Sequence, residues 1–255
     1  MLKIKENIYG HKNRLDWIKQ HISKEQKGLE FGCGTGVMIT GVLLQEGYNT
    51  QGIDLDKDSI NLGQNIYQDN GLETNKLICD DIKNLPNESY DYIIASEVFE
   101  HIPNPILEEV IDLVKQKIKP NGLLLVTVPN GYGWFEIEDF IWKKLKIGNV
   151  LQFFKINSVI NKVKQIFTGK YIDCKYPSSI ADSPHVQRFT LNSISKKVGD
   201  KDFSLLDFRG STMFAGPFSN MFFTGFKSLM NFNIYLGSKF PMVSSGFYIA
   251  FKKTK

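Results

Sequence analysis

Near the start of the chain a short apolar strand runs into an acidic residue, and glycine then recurs at every second position: Gly28-Leu29-Glu30-Phe31-Gly32-Cys33-Gly34-Thr35-Gly36. No other stretch narrows the possible folds as much. Glycine tolerates positive φ and lets a ligand come close to the backbone. Val37 to Leu44 follows as an apolar run that reads as a helix, with its expected span at 36–46. A glycine-rich turn between a strand and a helix N-terminus is a nucleotide-binding geometry. The dinucleotide fingerprint GxGxxG requires a third glycine where this chain has Val37, which argues against a nicotinamide oxidoreductase. Taken alone, the turn is equally compatible with a tight bend. The residues that follow it, and their spacing, decide.

Those residues alternate between strand and helix. Leu15, Ile18 and Ile22 share one face of a predicted helix over 11–22, and 27–31 is the first strand. Strands are predicted at 49–56, 76–79, 90–95 and 123–128, and helices at 57–69 and 105–118. In the last helix Ile106, Val110, Leu113, Val114 and Ile118 follow helical spacing. Alternation of this kind argues for a parallel sheet flanked by helices. Such sheets bind ligands beyond the carboxyl ends of their strands. Glu30, Asp54, Asp80 and Ser96 all fall at or just past a strand end, so one crevice can gather them.

A nucleoside ligand explains what residue types are wanted there. A ribose diol calls for a carboxylate that accepts two hydrogen bonds, and Asp54 at the end of the second strand suits it. The competing role for Asp54 is a helix N-cap, for which Asp56 is the better candidate. An adenine amino group needs an acceptor, offered by Asp80 or Asp81, beside an apolar slot that Ile82 and Leu55 can supply.

With those positions in view, GLEFGCGTG, GIDLD, CDDI, DYIIASEVFEHIPNP and NGLLLVTVPN, in this order, resemble the class I S-adenosylmethionine (SAM) methyltransferases of the ubiquinone-biosynthesis-like, small-molecule type. The likeness covers residues 10–130, with HVQRFT at 185–190 as an outlying match. It implies a Rossmann-like three-layer αβα sandwich with a seven-stranded, mostly parallel sheet, its last strand antiparallel. It also implies SAM as methyl donor, released as S-adenosyl-L-homocysteine. By the same resemblance Glu30, Gly32, Gly34, Asp54, Asp80 or Asp81 and Ser96 line the cofactor, grouped with Cys33, Gly36, Leu55, Ile82 and Glu97. Arg14 or His11 is a candidate for the carboxylate of the methionine tail, against a plain role on the surface of an amphipathic helix. Phe31 stands where many members carry a smaller aliphatic residue.

Methyl transfer to oxygen also needs the acceptor deprotonated. His101 and His185 are the candidate catalytic bases, and each has a structural alternative in holding a loop. Glu97 and Glu100 are candidate contacts to substrate, and His21 is expected to be structural. No CxxC pair or Cys/His cluster occurs among the three cysteines, so no metal site is expected and a reducing cytoplasm fits. The N-terminal residues are polar, no secretory leader is expected, and no uncharged apolar run is long enough to span a membrane.

After Pro129 the alternation stops. Residues 131–185 form a lysine-rich insertion with two predicted helices, 134–147 and 150–167, and eight lysines but one acid between 141 and 175. It is expected to act as a lid over the acceptor. Its lysines suit a phosphate-bearing acceptor or an anionic membrane surface, or simply a solvated helix face. Tyr132, Trp134 and Phe135 form an aromatic lip or an anchor for the insertion. The core resumes at 186–255 with a helix at 191–198 and strands at 204–210 and 246–251, while 213–240 is a second cap element. The acceptor is expected to be a small molecule, and no nucleic acid is expected. Ser-Glu-Val-Phe stands where base-methylating enzymes carry an Asn/Asp-Pro-Pro-aromatic motif. A cofactor-binding protein without turnover is the remaining rival.

Overall fold

The computed structural model describes residues 10–147, 177–180, 184–199, 201–216, 219, 223 and 226–254. The predicted helix at 150–167 and its lysine face lie outside them.

Seven strands form one sheet: β1 (Lys27–Phe31), β2 (Asn49–Asp54), β3 (Leu77–Cys79), β4 (Tyr90–Ser96), β5 (Ile118–Pro129), β6 (Phe203–Gly210) and β7 (Gly246–Lys253), in the order β3-β2-β1-β4-β5-β7-β6. β1 pairs in parallel with both β2 and β4, and β4 with β5. β7 is antiparallel to both β5 and β6. A dinucleotide-binding sheet has six parallel strands in the order 3-2-1-4-5-6, so the inserted antiparallel β7 sets this fold apart from it.

The helices are α1 (His11–His21), α2 (Thr40–Gln45), α3 (Lys57–Asp69), α4 (Asn104–Lys117), α5 (Trp134–Lys144), α6 (Leu191–Val198) and α7 (Lys227–Lys239). The period-two alternation of the central strands assigns the two layers. Ile93, Ala95, Leu124 and Val126 bury one face under α4 and α6, against Leu107, Ile111, Val114 and Ile194. Tyr92, Ile94, Leu125 and Tyr248 bury the other against Leu15, Trp17, Ile18 and Leu43 of α1 and α2. Each fully buried side chain of this size contributes about 1.5–3 kcal/mol, so two-sided burial of β4 and β5 fixes the middle of the sheet.

Two expectations change. The helix after the glycine turn begins only at Thr40, because Gly36 to Ile39 are needed to bring the chain round. The buried face of α4 is Leu107, Ile111 and Val114, of which the predicted stripe held only Val114, while Ile118 is buried but already belongs to β5. Ile106, Val110 and Leu113 instead line the cleft described below. The segment 213–240 includes α7, whose Gly237 comes so close to Ser211 that a Cβ would sit 2.1 Å from that carbonyl oxygen. Expected structural His21 sits between the Trp17 carbonyl (Nδ1, 2.9 Å) and Asp207 (Nε2, 3.2 Å).

The chain switches direction across the sheet between β1 and β4. Their carboxyl ends, Phe31 and Ser96, therefore open a crevice between the loops that follow them.

Candidate active site

The glycine turn leaves β1 with Gly32, Gly34 and Gly36 at φ of +68°, +55° and +66°, the left-handed region that costs other residues most. The Gly32 and Cys33 N–H groups both donate to the Ile53 carbonyl, at 2.9 and 3.1 Å. Asp54, one residue on, holds the turn from the side: its Oδ2 accepts the Gly34 N–H at 2.7 Å and its Oδ1 the Asp56 N–H at 2.8 Å. An ionised carboxylate has about four lone-pair sites, so each oxygen keeps acceptor capacity toward the crevice. Asp56 is the cap of α3, accepting from Asp58 and Ser59.

Glu30 is 5% exposed and turns its carboxylate to the start of α2, where Oε2 accepts the Thr40 N–H at 2.9 Å and hydroxyl at 2.5 Å. Burial pushes its carboxyl up to about 7, against the opposing pull of the Thr40 bonds. Gly36 departs from its expected role. It does not line the crevice: a Cβ there would lie 2.4 Å from the Leu77 side chain, and its carbonyl accepts the Tyr67 hydroxyl at 2.8 Å. Its place in the motif is therefore one of packing.

At the end of β4, Arg14 reaches in from α1. Its guanidinium donates to Ser96 Oγ at 3.1 Å and pairs with Glu97 at 3.3 Å, while Thr127 bridges the same two residues at 2.9 Å each. Glu97 holds a left-handed φ of +55°, strain that this network supports. Arg14 and His11 both face the crevice rather than open surface. Burial, helped by Arg14, drops the His11 imidazole to about 3, so it stays neutral. Asp80 Oδ1 accepts from the Asp81 N–H and Asn84, both at 2.7 Å. Asp81 accepts the Lys83 N–H at 2.9 Å and pairs with its ammonium at 3.0 Å.

One cavity of about 1060 Å³ unites these groups. Arg14, Glu30, Gly32, Cys33, Gly34, Asp54, Leu55, Asp80, Asp81, Ile82, Ser96 and Glu97 all line it, as do His101 and His185. The far end is built by the returning chain. The Val186 and Gln187 N–H groups donate to the Glu100 carbonyl at 2.8 and 3.0 Å, and Phe189 bridges to Asn130. His185 thereby meets His101 edge-on, with ring centroids 5.0 Å apart. Partial burial and His101 lower the His185 pKa. Phe135 of the expected aromatic lip lines the cavity too, while Trp134 packs edge-on to Phe214, 5.2 Å between centroids, and so serves as an anchor.

Sequence reasoning missed two contributors. Thr127 sits inside a buried strand with no local signal. Pro177 to Ile180 strap the glycine turn: Thr35 donates its N–H to the Ser178 carbonyl at 2.9 Å and its hydroxyl to Pro177 at 2.8 Å, and the Ile180 N–H reaches Ser59 Oγ at 2.9 Å.

Fold and cleft together define a class I, SAM-type methyltransferase architecture. Residues 11–173 match the family described as a methyltransferase domain, and the chain belongs to that family. It is 38% identical over 103 residues to a ubiquinone biosynthesis O-methyltransferase of Rickettsia prowazekii, covering 40% of this chain and 39% of the relative. The chain spans about half the length, or less, of the curated relatives it matches. A SAM-dependent methyltransferase from Methanosarcina mazei shares the fold with a TM-score of 0.56 at 17% identity, covering 93% of this chain and 96% of the other. So does the 1,6-didemethyltoxoflavin-N1-methyltransferase of Burkholderia thailandensis, with a TM-score of 0.54 at 12% identity, covering 96% and 78%. Among the described residues, no helix is long and apolar enough to cross a membrane.

Proposed function

We propose that this protein transfers the methyl group of SAM to a hydroxyl of a small-molecule acceptor. The observation that carries the reading is the single cavity with Asp54 and the glycine turn at one end and the His101–His185 pair at the other. The residues fit the cofactor. Asp54 keeps lone pairs for a ribose diol, Asp80 and Asp81 stand beside Ile82 for an adenine, and buried Glu30 favours a cationic neighbour. Bound SAM supplies a methyl group already activated on a sulfonium.

The chain's own part is alignment and proton removal. Ile106, Val110 and Leu113 give the cleft an apolar wall. Positioning of two reactants in such a cleft accounts for much of the acceleration in a displacement. His101 and His185 take charge of the acceptor's proton, which must leave as the oxygen becomes nucleophilic. The depressed pKa of His185 keeps it neutral and ready to accept.

Residues 131–185 act as the lid over the acceptor in this reading, supported by the strap of Pro177–Ile180 on the glycine turn. The cytoplasmic location expected from the cysteine usage and the absence of a nucleic-acid partner remain part of the proposal. The test is incubation with methyl-labelled SAM and panels of phenols, sugars and nucleotide sugars. Label in a methyl ether supports the reading, and label only in added RNA or DNA overturns it.

A further inference from the structure

We propose that the protein pairs with a second copy of itself through the free edge of β6, continuing the sheet across a two-fold axis at Phe208. β6 is the outer strand, beyond β7. Ser204 to Phe208 are all exposed, with Leu205, Leu206 and Phe208 at 45%, 53% and 41%. An open strand edge that carries large apolar side chains is a template for pairing with another chain. Lysine or proline commonly blunts such edges, and β6 has neither. Its one interruption is a bulge at Leu206, between Leu205 and Asp207.

The backbone beyond that bulge is oriented for pairing. Just past β6 the Ser211 N–H donates to the Gly246 carbonyl at 2.9 Å. Backbone groups alternate in direction along an antiparallel strand, and the register with β7 is unbroken from Asp207 to Gly210. Asp207 and Arg209 therefore turn their N–H and C=O toward β7, while those of Phe208 point outward. Among the described residues nothing bonds to the Phe208 N–H or carbonyl.

The side chains select a second copy as the occupant. Asp207 and Arg209 flank Phe208, so an antiparallel pair centred on Phe208 sets Asp207 opposite the partner's Arg209, and Arg209 opposite the partner's Asp207. Phe208 then exchanges both backbone bonds with its own copy. The charged positions become the pairs without backbone bonds, whose side chains approach more closely. Each charged group has a free half for this contact. Asp207 Oδ2 takes Trp17 Nε1 and His21 Nε2, both at 3.2 Å, and Oδ1 has no partner among the described residues. Arg209 donates Nε to Ser238 at 2.8 Å, and its terminal nitrogens form no ion pair among the described residues. Both lie on the α1 face of the sheet with their β7 neighbours Ala250 and Tyr248. A two-fold interface is self-complementary by construction, so one strand with an acid and a base either side of its centre supplies both ion pairs. Phe208 against its copy adds an aromatic cross-strand pair. Trp17 and His21 belong to α1, which carries Arg14 into the cleft, so the partner's Arg209 would add support to the residue that holds that helix. Pairing itself does not rest on the methyl-transfer reading.

The test is sedimentation velocity of the tag-free full chain across a range of concentrations. A reversible monomer–dimer equilibrium is expected. Arg209→Glu turns two attractive pairs into two repulsive ones and is expected to weaken the dimer by at least about 10-fold. Asp207→Lys should do the same. An equimolar mixture of these two variants should recover the dimer, because position 207 of each then faces the opposite charge at position 209 of the other. Phe208→Pro removes the outward N–H, spares the β7 ladder and should leave a monomer. If Asp207→Lys loses its fold with the Trp17 and His21 contacts, seen as a collapse of its melting temperature, Arg209→Glu and Phe208→Pro decide alone. A wild type that stays monomeric, or forms only larger aggregates, overturns the proposal. So does a dimer as tight in Arg209→Glu and Phe208→Pro as in the wild type, and so does a mixture of the two folded charge variants that remains monomeric.

Discussion

His185 lies edge-on to His101 at 5.0 Å between ring centroids, although one follows β4 and the other ends the long insertion. The contact exists because the Glu100 carbonyl accepts two N–H groups from the returning chain. It brings both candidate bases to one end of the cavity and leaves the other end to the glycine turn.

That separation predicts a split between binding and turnover. His101→Ala and His185→Ala should each keep the thermal shift given by S-adenosyl-L-homocysteine. Each should lower the rate of methyl transfer by about 10²–10⁴-fold, the range for losing help with a proton. Wild-type turnover in both variants would remove the histidines from the mechanism.

Asp54 predicts the converse. S-adenosyl-L-homocysteine at 100 times its Kd should stabilise the chain by about 2.7 kcal/mol. A chain this long gains about 2–4 °C per kcal/mol. Asp54→Ala should lose most of that shift, because it removes the ribose acceptor and frees the Gly34 N–H that shapes the turn. A full shift in the variant would contradict the cofactor assignment.

Glu30 makes stability depend on pH in a defined direction. Its carboxyl titrates near 4.5 when unfolded and at about 7 when buried in the folded chain. The folded state then holds the extra proton between these values, so the group's contribution to stability falls as pH rises from 4.5 to 7. The loss approaches about 3 kcal/mol at 1.36 kcal/mol per unit. Urea unfolding from pH 4.5 to 7.5 should show Glu30→Gln gaining on the wild type across that window. A constant difference between the two curves would refute it.

Gly34→Ala should be destabilising for two reasons. The residue sits at φ +55°, and a Cβ would lie 2.3 Å from the Ser178 carbonyl oxygen. Backbone strain of this kind costs about 1–3 kcal/mol, and the strap must also move. Lower chemical stability together with faster proteolysis near 177–180 is the expected pair of results. Gly71→Ala is the control, since it shares a positive φ with nothing within 4 Å of its Cβ position.

The glycine-turn end of the crevice was legible because its signals are local. Glycines at alternate positions, an acid at each strand end and apolar runs of strand length all act over a few residues, and Asp56 was separable from Asp54 by its place at a helix start. Ile106, Val110 and Leu113 read as one face with buried Val114, because a stripe that lines a cleft is as apolar as one that lines the core. Arg14 was a candidate for the cleft beside a plain surface role, and the fold decides between them where Ser96 and Glu97 receive its guanidinium.

By itself the sequence determined the αβα architecture, the crevice at the ends of β1, β2 and β4, and the residue types that a nucleoside ligand needs there. Local periodicity and glycine stereochemistry are written in short windows. Only the tertiary structure decided that His101, His185 and Glu100 share one site, that Pro177–Ile180 strap the glycine turn, and that Gly36 packs rather than binds. Those relations depend on where a long insertion returns to the sheet. Backbone hydrogen bonds to the Glu100 carbonyl and to Thr35 fix that return, and peptide groups carry no signature in the sequence.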